Sequence, residues 1–308
     1  MTAPWAFVLM WSSGAIFAEL GLRYAAPFAF LAIRATLSAA IAWAVGVRIR
    51  DVMPADASAW RRTIGVGLVM QGGYQAMFFL SLHRGISAGT LAAVLGMQPL
   101  LTGMFTAGRR APWTGLAIGL AGLFLVVADT IDPEDFTASA GGVVAAVGAL
   151  LCMTFGTIAQ QRLTGTGLWS SIAIQQSAAS GLFVPLALAT GQTTVVADPR
   201  FWAAAAWMVI VVSTGATALL FVMVRQGNPT RVSSLFYLVP PVTALLDLVV
   251  YGHALALPQG AGTALVVLAL LLVRRTHTPP AQHNAVQGID RGDTEVRAIP
   301  TTPAASDS

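Results

Sequence analysis

Long apolar segments alternate with short polar connections along most of this chain. Each segment approaches the roughly 20 residues that a helix needs to cross the hydrocarbon core of a bilayer. The pattern therefore predicts an all-α integral membrane protein with ten transmembrane helices. The predicted spans are Pro4–Leu22, Pro27–Val47, Thr63–Leu82, Ser87–Ala107, Pro112–Ala128, Ala140–Arg162, Leu168–Thr190, Phe201–Val222, Val232–Tyr251 and Pro258–Val273.

The first five segments share a pattern of small and helix-breaking residues with the second five. Gly85 is matched by Gly227 and Pro99 by Pro241, in each case 142 positions later. Recurrence at one offset indicates a tandem repeat, and an odd number of spans in each copy inverts the second copy. We therefore predict two inverted five-helix repeats. The same offset relates Leu9 to Leu151, Gly14 to Gly156, Ile16 to Ile158, Gly73 to Gly215, Ala76 to Ala218 and Phe79 to Phe221.

Composition supports a membrane protein and helps to divide the chain. Hydrophobic residues make up 56% of it, charged residues 10%, and the mean hydropathy is +0.72. A soluble domain is excluded, because a water-facing surface needs far more charge. We expect one repeat at residues 1–129, an extracytoplasmic linker at 130–139 and the second repeat at 140–274. Residues 275–308 hold few large apolar side chains and are predicted to form a disordered cytoplasmic tail.

The distribution of basic residues predicts the orientation in the membrane. All seventeen are arginine, and thirteen fall in segments that are cytoplasmic if the N-terminus is cytoplasmic. Arg23, Arg84 and Arg200 fall outside, so the positive-inside rule predicts that both termini are cytoplasmic. The exclusive use of arginine fits a GC-rich bacterial genome and hence a multi-pass protein of the bacterial plasma (inner) membrane. Because the basic residues are spread over five segments, nucleic acid is not an expected partner.

Three ionisable residues fall within predicted spans, namely Glu19, Arg34 and Asp247. Charge in hydrocarbon costs at least about 2.5–3.5 kcal/mol per group, so such residues face a cavity or a partner. Glu19 and Arg34 lie at similar depth on consecutive helices and are expected to pair. The remaining carboxylate could be neutralised by a proton, a cationic substrate or sodium, and we favour a proton. The alternative is a static Glu19–Arg34 pair, with Asp247 reaching the outer interface.

The repeat assigns neutral amides to the positions equivalent to these charges. The offset relates Glu19 to Gln161 and, within one position, Arg34 to Gln175. We therefore predict a charged site in the outer half of the membrane and an amide site in the inner half. For Gln161, beside Arg162, a place at the cytoplasmic interface is the alternative.

Prolines near the middle of two spans predict interrupted helices at Pro99 and at the adjacent Pro240 and Pro241. Proline removes a helical hydrogen bond, and binding sites in membrane transport proteins occur near such interruptions. The alternative is that these prolines and glutamines serve helix packing, with Trp11 facing lipid. The candidate substrate-binding residues at this depth are Trp11, Gln71, Tyr74, Gln75, Phe78, Gln98 and Tyr237, and four of them share one face of the third helix at three- and four-residue spacing.

The sequence favours neither a cofactor nor an enzyme. Cys152 is the only cysteine, so one chain cannot form a disulfide or a thiolate metal site. No HExxH zinc motif is present, and Glu19 and Asp247 lack the glycine-flanked context of an intramembrane aspartyl protease. Closely spaced Gly115, Gly119 and Gly122 allow helices to approach closely, which makes a homodimer a further expectation.

Both halves resemble the EamA repeat of the drug/metabolite transporter superfamily. The first half reads LMWSSGAIFAELGLRY, AIRATLSAAIAWAV and LSLHRGISAGTLAAVLGMQPLLTGMF, and the second reads LCMTFGTIAQQRL and VRQGNPTRVSSLFYLVPPVTALLDLVVYG. The resemblance covers about residues 5–274. It implies a ten-helix inverted-repeat transporter whose central cavity is lined by the first four helices of each half. Members move amino acids, other metabolites or drugs, often as exporters.

Residues and resemblance together predict a secondary active transporter in the lipid bilayer. It is expected to export a small metabolite, amino acid or drug by alternating access, with protons as the candidate coupling ion. The alternatives are a facilitative exchanger or importer of the same fold, and a non-transporting membrane scaffold. A scaffold would not need charge in its core, which Glu19, Arg34 and Asp247 supply.

Overall fold

The computed structural model describes residues 3–107, 136–225, 239–252 and 257–276, together with positions 114, 117–119, 121–122 and 125. Within these residues the chain is helical apart from short connections and an isolated β-bridge between Ala25 and Val195. The α-helices are α1 Ala3–Leu22, α2 Pro27–Arg48, α3 Ala57–Gly67, α4 Tyr74–His83, α5 Ala88–Leu95, α6 Gln98–Ala107, α7 Phe136–Gln161, α8 Leu168–Ala189, α9 Pro199–Trp207, α10 Thr217–Arg225, α11 Val239–Tyr251 and α12 Leu257–Thr276.

Five of the described helical stretches are long and apolar enough to cross a membrane. They coincide with the first, second, sixth, seventh and eighth predicted spans, so the all-α membrane class is confirmed. The fifth predicted span, Pro112–Ala128, lies largely outside the described residues. The five stretches are Trp5–Leu22, Pro27–Arg48, Ala140–Gln161, Leu168–Ala189 and Pro199–Met223.

The predicted linker and tail fall mostly outside the described residues, at 130–135 and 277–308. Where the structure describes their edges, the helices are longer than the sequence suggested. Helix α7 begins at Phe136, inside the predicted linker, and α12 continues to Thr276. The described helices belong to one compact unit that extends to Thr276.

Polar residues in the short connections begin several helices. Asp56 precedes α3 and accepts a hydrogen bond from the backbone N–H of Ala59, which satisfies one of the free donors in the first turn. Asp51, in the connection after α2, accepts a hydrogen bond from the N–H of Ser170 at 2.9 Å. Because Ser170 lies in the first turn of α8, this carboxylate ties the connection to the start of a helix in the other half.

Two long helical stretches each contain a π-helical segment near their middle. Segment π1, Leu68–Gly73, joins α3 to α4, and segment π2, Met208–Ala216, joins α9 to α10. The two segments overlap when the chain is shifted by 142 positions. A π turn widens the helix and frequently occurs at functional sites.

The fourth predicted span is broken, as Pro99 suggested. Helix α5 ends at Leu95 and α6 begins at Gln98, so the break falls at Gly96 and Met97. Pro99 lies in the first turn of α6, where its missing N–H leaves no hydrogen bond unmade. In the ninth span, Pro240 and Pro241 lie in α11, and the positions before Val239 fall outside the described residues, so an interruption there stays a prediction.

The most extensive helix packing joins the two halves of the chain. Helix α2 lies along α8, α1 contacts π2 and α11, and α7 contacts π1 and α4. Aromatic side chains fill part of the core between halves, since the Phe30 ring meets Phe79 and Phe201 edge to face at 5.2 and 5.4 Å. Such pairs add to the stabilisation gained from burial alone.

Glycines make close contacts between the halves that occur in reciprocal pairs. A β-carbon built on Gly14 of α1 would lie 3.3 Å from Cγ1 of Val212 in π2. One built on Gly156 of α7 would lie 2.8 Å from Cβ of Met70 in π1. Gly156 and Met70 are each 142 positions from Gly14 and Val212, so the contact recurs with the halves exchanged.

A second pair of contacts is related by the same offset of 142 positions. Gly73 lies against the Sγ atom of Cys152, with 3.0 Å between that atom and a built β-carbon, and Gly215 lies against Cε of Met10. Met10 and Cys152 are again 142 positions apart. Two pairs of glycine contacts therefore follow the 142-position offset.

Candidate functional site

A cavity opens between helices of both halves, next to the break between α5 and α6. Its volume, counted as space for the centres of water-sized spheres, is about 60 Å³. One water molecule needs about 10–15 Å³ on this measure, so the cavity holds several waters or a small organic molecule. Seven of the residues singled out from the sequence line it: Trp11, Arg34, Gln71, Tyr74, Gln75, Phe78 and Gln98.

All four residues of the predicted face of the third span border this cavity. Gln71 lies in π1, and Tyr74, Gln75 and Phe78 follow in α4, so the face crosses the junction between the two helix types. The rings of Tyr74 and Phe78 are 5.7 Å apart between centroids. Trp11 of α1 faces the same space, so it does not lie solely against lipid. Tyr237 lies outside the described residues.

Glutamine side chains form part of the cavity wall. The Nε2 atoms of Gln75 and Gln176 both donate to Oε1 of Gln71, the second at 3.3 Å. Gln98 Nε2 donates to the Thr157 hydroxyl at 3.0 Å, which joins α6 to α7. Oε1 of Gln75 is buried and has no hydrogen-bond partner among the described residues, so the wall retains an acceptor for a ligand.

Arg34 is the charged residue of the described cavity lining. Its side chain is 6% exposed, and its Nε donates to the Ser213 hydroxyl at 2.7 Å. The guanidinium carbon lies 5.8 Å from the centroid of the Phe79 ring. Among the described residues no carboxylate lies within 4 Å of this guanidinium.

The expected Glu19–Arg34 pair is wrong. Glu19 Oε1 instead accepts from Arg23 Nη2 at 3.2 Å, one turn along α1. Arg23 lies just beyond the end of α1, in the connection predicted to be on the outer side. The four-residue spacing, which brings side chains together on a helix, was visible in the sequence and would have suggested this partner.

Glu19 and Asp247 belong to a second polar group, which we call the α1–α11 cluster and define as Glu19, Arg23, Asp247 and Tyr251. The Arg23 guanidinium stacks over the Tyr251 ring at 4.6 Å, and the Tyr251 hydroxyl donates to the carbonyl of Ile16 at 2.8 Å. Both carboxylates interact electrostatically with Tyr251. Asp247 is 2% exposed. The cluster therefore connects α1 to α11.

The α1–α11 cluster is separate from the cavity lining. Neither Glu19 nor Asp247 borders the cavity, whereas Trp11 on the same helix as Glu19 does. Eight residues of α-helix between Trp11 and Glu19 correspond to about 12 Å along the axis. The charges expected to form one site thus lie in two places, with the cation in the cavity and the acids toward one end of α1.

The amides predicted as counterparts of the charges also lie apart. Gln161, at the end of α7, is exposed, which agrees with an interfacial position. Gln175 is fully buried and donates to Gln160 Oε1 at 2.8 Å, but it does not border the cavity. Its neighbour Gln176 is the residue that contacts Gln71 of the cavity wall.

Gln176 takes part in a polar contact that recurs between the two halves. It lies 142 positions after Arg34, and Ser213 lies 142 positions after Gln71. The contact between Arg34 and Ser213 is therefore repeated, with the halves exchanged, between Gln176 and Gln71. We missed Ser213 in the sequence, although the offset applied to Gln71 would have found it.

Several apolar and hydroxyl-bearing residues of the lining were not anticipated. Met70, Met153 and Met208 contribute flexible thioether side chains, and Thr217 and Thr243 contribute hydroxyls. Methionine adapts its shape to irregular ligands, but nothing in its spacing distinguishes a lining residue from a packed one. Within the described residues no three His, Cys, Asp or Glu side chains are grouped so that they could hold a metal ion.

Residues 140–275 match the EamA-like transporter family. The curated protein named inner membrane transporter YedA, from Escherichia coli strain K12, is 22% identical over 214 residues, which cover 68% of this chain and 69% of that protein. Its counterpart in Escherichia coli O157:H7 gives the same values. A solved crystal structure matches 90% of this chain and 98% of its own with a TM-score of 0.63 at 21% identity, which is a likeness of fold.

Proposed function

We propose that this protein is a membrane transporter that works by secondary active transport, because residues 140–275 match the EamA-like transporter family and the chain is similar to an inner membrane transporter of Escherichia coli. The proposed substrate is a small molecule that binds in the cavity beside the α5–α6 break. The cavity carries this proposal, because its lining comes from both halves of the chain. A site shared by two repeats opens to alternate sides when one repeat rocks against the other.

The reciprocal contacts support two inverted five-helix repeats as the underlying architecture. Gly14 meets Val212 as Gly156 meets Met70, and a cavity residue of each half repeats the relation. Contacts that exchange in this way are expected from two copies related by a two-fold axis. Such an axis, lying in the membrane plane, is the usual arrangement of inverted repeats in secondary transporters.

Transport can be tested in proteoliposomes that contain the purified protein and a panel of radiolabelled metabolites and amino acids. We expect uptake of at least one compound by the wild type and a loss of at least about tenfold in Trp11→Ala, since a cavity aromatic supplies large contact area. Trp202→Ala is the matched control, because Trp202 is 51% exposed on α9. Absence of transport for every compound would favour the non-transporting scaffold.

Export and orientation are proposed from the arginine distribution and the resemblance. With both termini cytoplasmic, everted inner-membrane vesicles should accumulate the substrate, whereas right-side-out vesicles should release it. Reporter fusions to the C-terminus give an independent measurement of the side on which residue 308 lies. Accumulation by right-side-out vesicles only would identify an importer.

We further propose that protons drive transport through the α1–α11 cluster. Asp247 is buried, and both Asp247 and Glu19 interact electrostatically with Tyr251, so protonation of either acid would change the electrostatics between α1 and α11. Asp247→Asn and Glu19→Gln should lose the response to an imposed pH gradient while retaining exchange of labelled for unlabelled substrate. A gradient response equal to the wild type in both variants would leave a facilitative exchanger.

A further inference from the structure

We propose that the cavity binds the carboxylate of a small organic anion through the Arg34 guanidinium. This rests on the proposed transport function and adds the chemical class of the substrate. The observation behind it is a buried cation in a ligand-sized cavity that has no carboxylate partner among the described residues.

The hydrogen bond from Arg34 to Ser213 leaves the two terminal Nη atoms available for a ligand. A guanidinium carries five N–H donors, and the described partner, the Ser213 hydroxyl, takes the one on Nε. The two terminal Nη atoms then form a planar fork that matches the two oxygens of a carboxylate. Ser213 and the Phe79 ring hold the guanidinium in place, so little freedom is lost when an anion binds.

Because the Arg34 charge is buried, binding of an anion would stabilise it. A charge out of water is unfavourable unless it is paired, and the two acids predicted within spans, Glu19 and Asp247, lie in the α1–α11 cluster instead. An anionic substrate would supply the missing charge each time it enters. A cationic substrate would instead meet a like charge in a poorly solvated space.

The rest of the lining defines the body of the substrate. Trp11, Tyr74 and Phe78 supply aromatic surface, and the amides of Gln71 and Gln75 supply neutral polar groups. A single cation among the described lining residues suits one carboxylate rather than two. The volume of about 60 Å³ limits the molecule to a small one. A monocarboxylate with an apolar or aromatic body fits all three conditions.

The test compares carboxylates with amides of the same shape. Purified protein in detergent is heated with benzoate or benzamide, phenylacetate or phenylacetamide, and hexanoate or hexanamide. In the wild type we expect at least one acid to raise the melting temperature by about 2–4 °C near ten times its Kd, and its amide to do so clearly less. No preference for the acid in any of the three pairs would overturn the inference.

Variants test whether Arg34 carries the preference. Arg34→Gln should bind each acid and its amide equally, and Arg34→Lys should keep a weaker preference for the acid. Arg61→Gln, which removes an exposed arginine of α3, should behave as the wild type. If Arg34→Gln unfolds, Arg34→Lys still decides the question, because an unchanged affinity for benzoate relative to benzenesulfonate and benzamide would contradict a bidentate carboxylate contact.

Binding and transport separate the two proposals. Acid-selective binding without transport of any bound acid would contradict the proposed function and leave the carboxylate site in place. Transport of neutral or cationic compounds at equal rates by the wild type and Arg34→Gln would support a transporter and overturn the carboxylate site. A wild type that binds benzenesulfonate more tightly than benzoate would assign the site to sulfonates, against the inference.

Discussion

The two halves of this protein form the same contact with different chemistry. On α2, Arg34 donates to Ser213 of π2, and on α8, Gln176 donates to Gln71 of π1. The first contact contains a full charge and the second is between neutral amides. Contacts at equivalent positions of the two halves therefore differ in their side chains, and only the first places a charge beside the cavity.

This difference gives the cavity one charged side and one neutral side. Arg34 borders the cavity directly, but Gln176 reaches it only through Gln71. If both halves carried arginine, two buried cations would repel each other across a small space. With a single arginine, the proposed carboxylate would be held without that repulsion.

The largest expected effect is a difference in carboxylate affinity between variants of Arg34 and Gln176, the two donors of the reciprocal contact. Arg34→Gln should raise the Kd for a carboxylate probe about 10- to 100-fold, because charge-assisted hydrogen bonds contribute about 1.5–3 kcal/mol. Gln176→Leu should raise it less than about threefold, since Gln71 keeps its hydrogen bond from Gln75. Calorimetric titration of both variants measures the ratio. Equal losses would mean that the halves contribute alike.

The sequence revealed more about the depth of side chains than about their neighbours. Apolar length and periodicity gave the spans, and the helical face from Gln71 to Phe78 does border the cavity. The Glu19–Arg34 pair was wrong because depth along two helices does not say how each is rotated about its axis. Segments π1 and π2 were not foreseen either, since a π turn shifts the helical register without a distinctive composition.

The repeat offset, in contrast, holds information that single-helix patterns lack. Applied to Gln71 it leads to Ser213, and applied to Arg34 it leads to Gln176 rather than Gln175. Both residues lie in interhelical contacts that no propensity would reveal. When one residue of a contact is recognised in one half, the offset therefore identifies the equivalent residue in the other half.

The second prediction compares the tightness of the two glycine contacts. Gly156→Ala should lower the free energy of unfolding by about 1–3 kcal/mol, because its β-carbon would lie 2.8 Å from Met70. Gly14→Ala should cost less than about 1 kcal/mol, since Val212 is 3.3 Å away and can shift. Thermal unfolding in detergent measures both.

Gly181→Ala is the control for this pair of variants. Nothing lies within 4 Å of a β-carbon built on Gly181, which is also helical, so this change should be neutral or slightly stabilising. A loss of stability in Gly181→Ala as large as that in Gly156→Ala would mean that the close approach to Met70 is not the cause.

A smaller effect is expected when the acceptor of Arg34 is removed. Ser213→Ala leaves the charge in the cavity but takes away the group that holds Nε, so carboxylate affinity should fall about 2- to 10-fold, in line with one hydrogen bond. Ser177→Ala removes another hydroxyl between α2 and α8, the one that accepts from Trp43 Nε1 at 3.0 Å. Ser177 does not border the cavity, so affinity in that variant should be unchanged by the same titration.

The smallest effect is expected for Arg23, just beyond the end of α1. Arg23 is 52% exposed and already paired with Glu19, so Arg23→Gln should change the free energy of unfolding by less than about 1 kcal/mol and leave carboxylate binding intact. The difference from Arg34 then reflects surroundings rather than residue type, because one guanidinium has its acid beside it and the other faces an open cavity. Loss of carboxylate binding in Arg23→Gln but not in Arg34→Gln would move the anion site to the α1–α11 cluster. Titration of both variants at low and high salt distinguishes these outcomes, since a half-exposed charge is screened far more than a buried one.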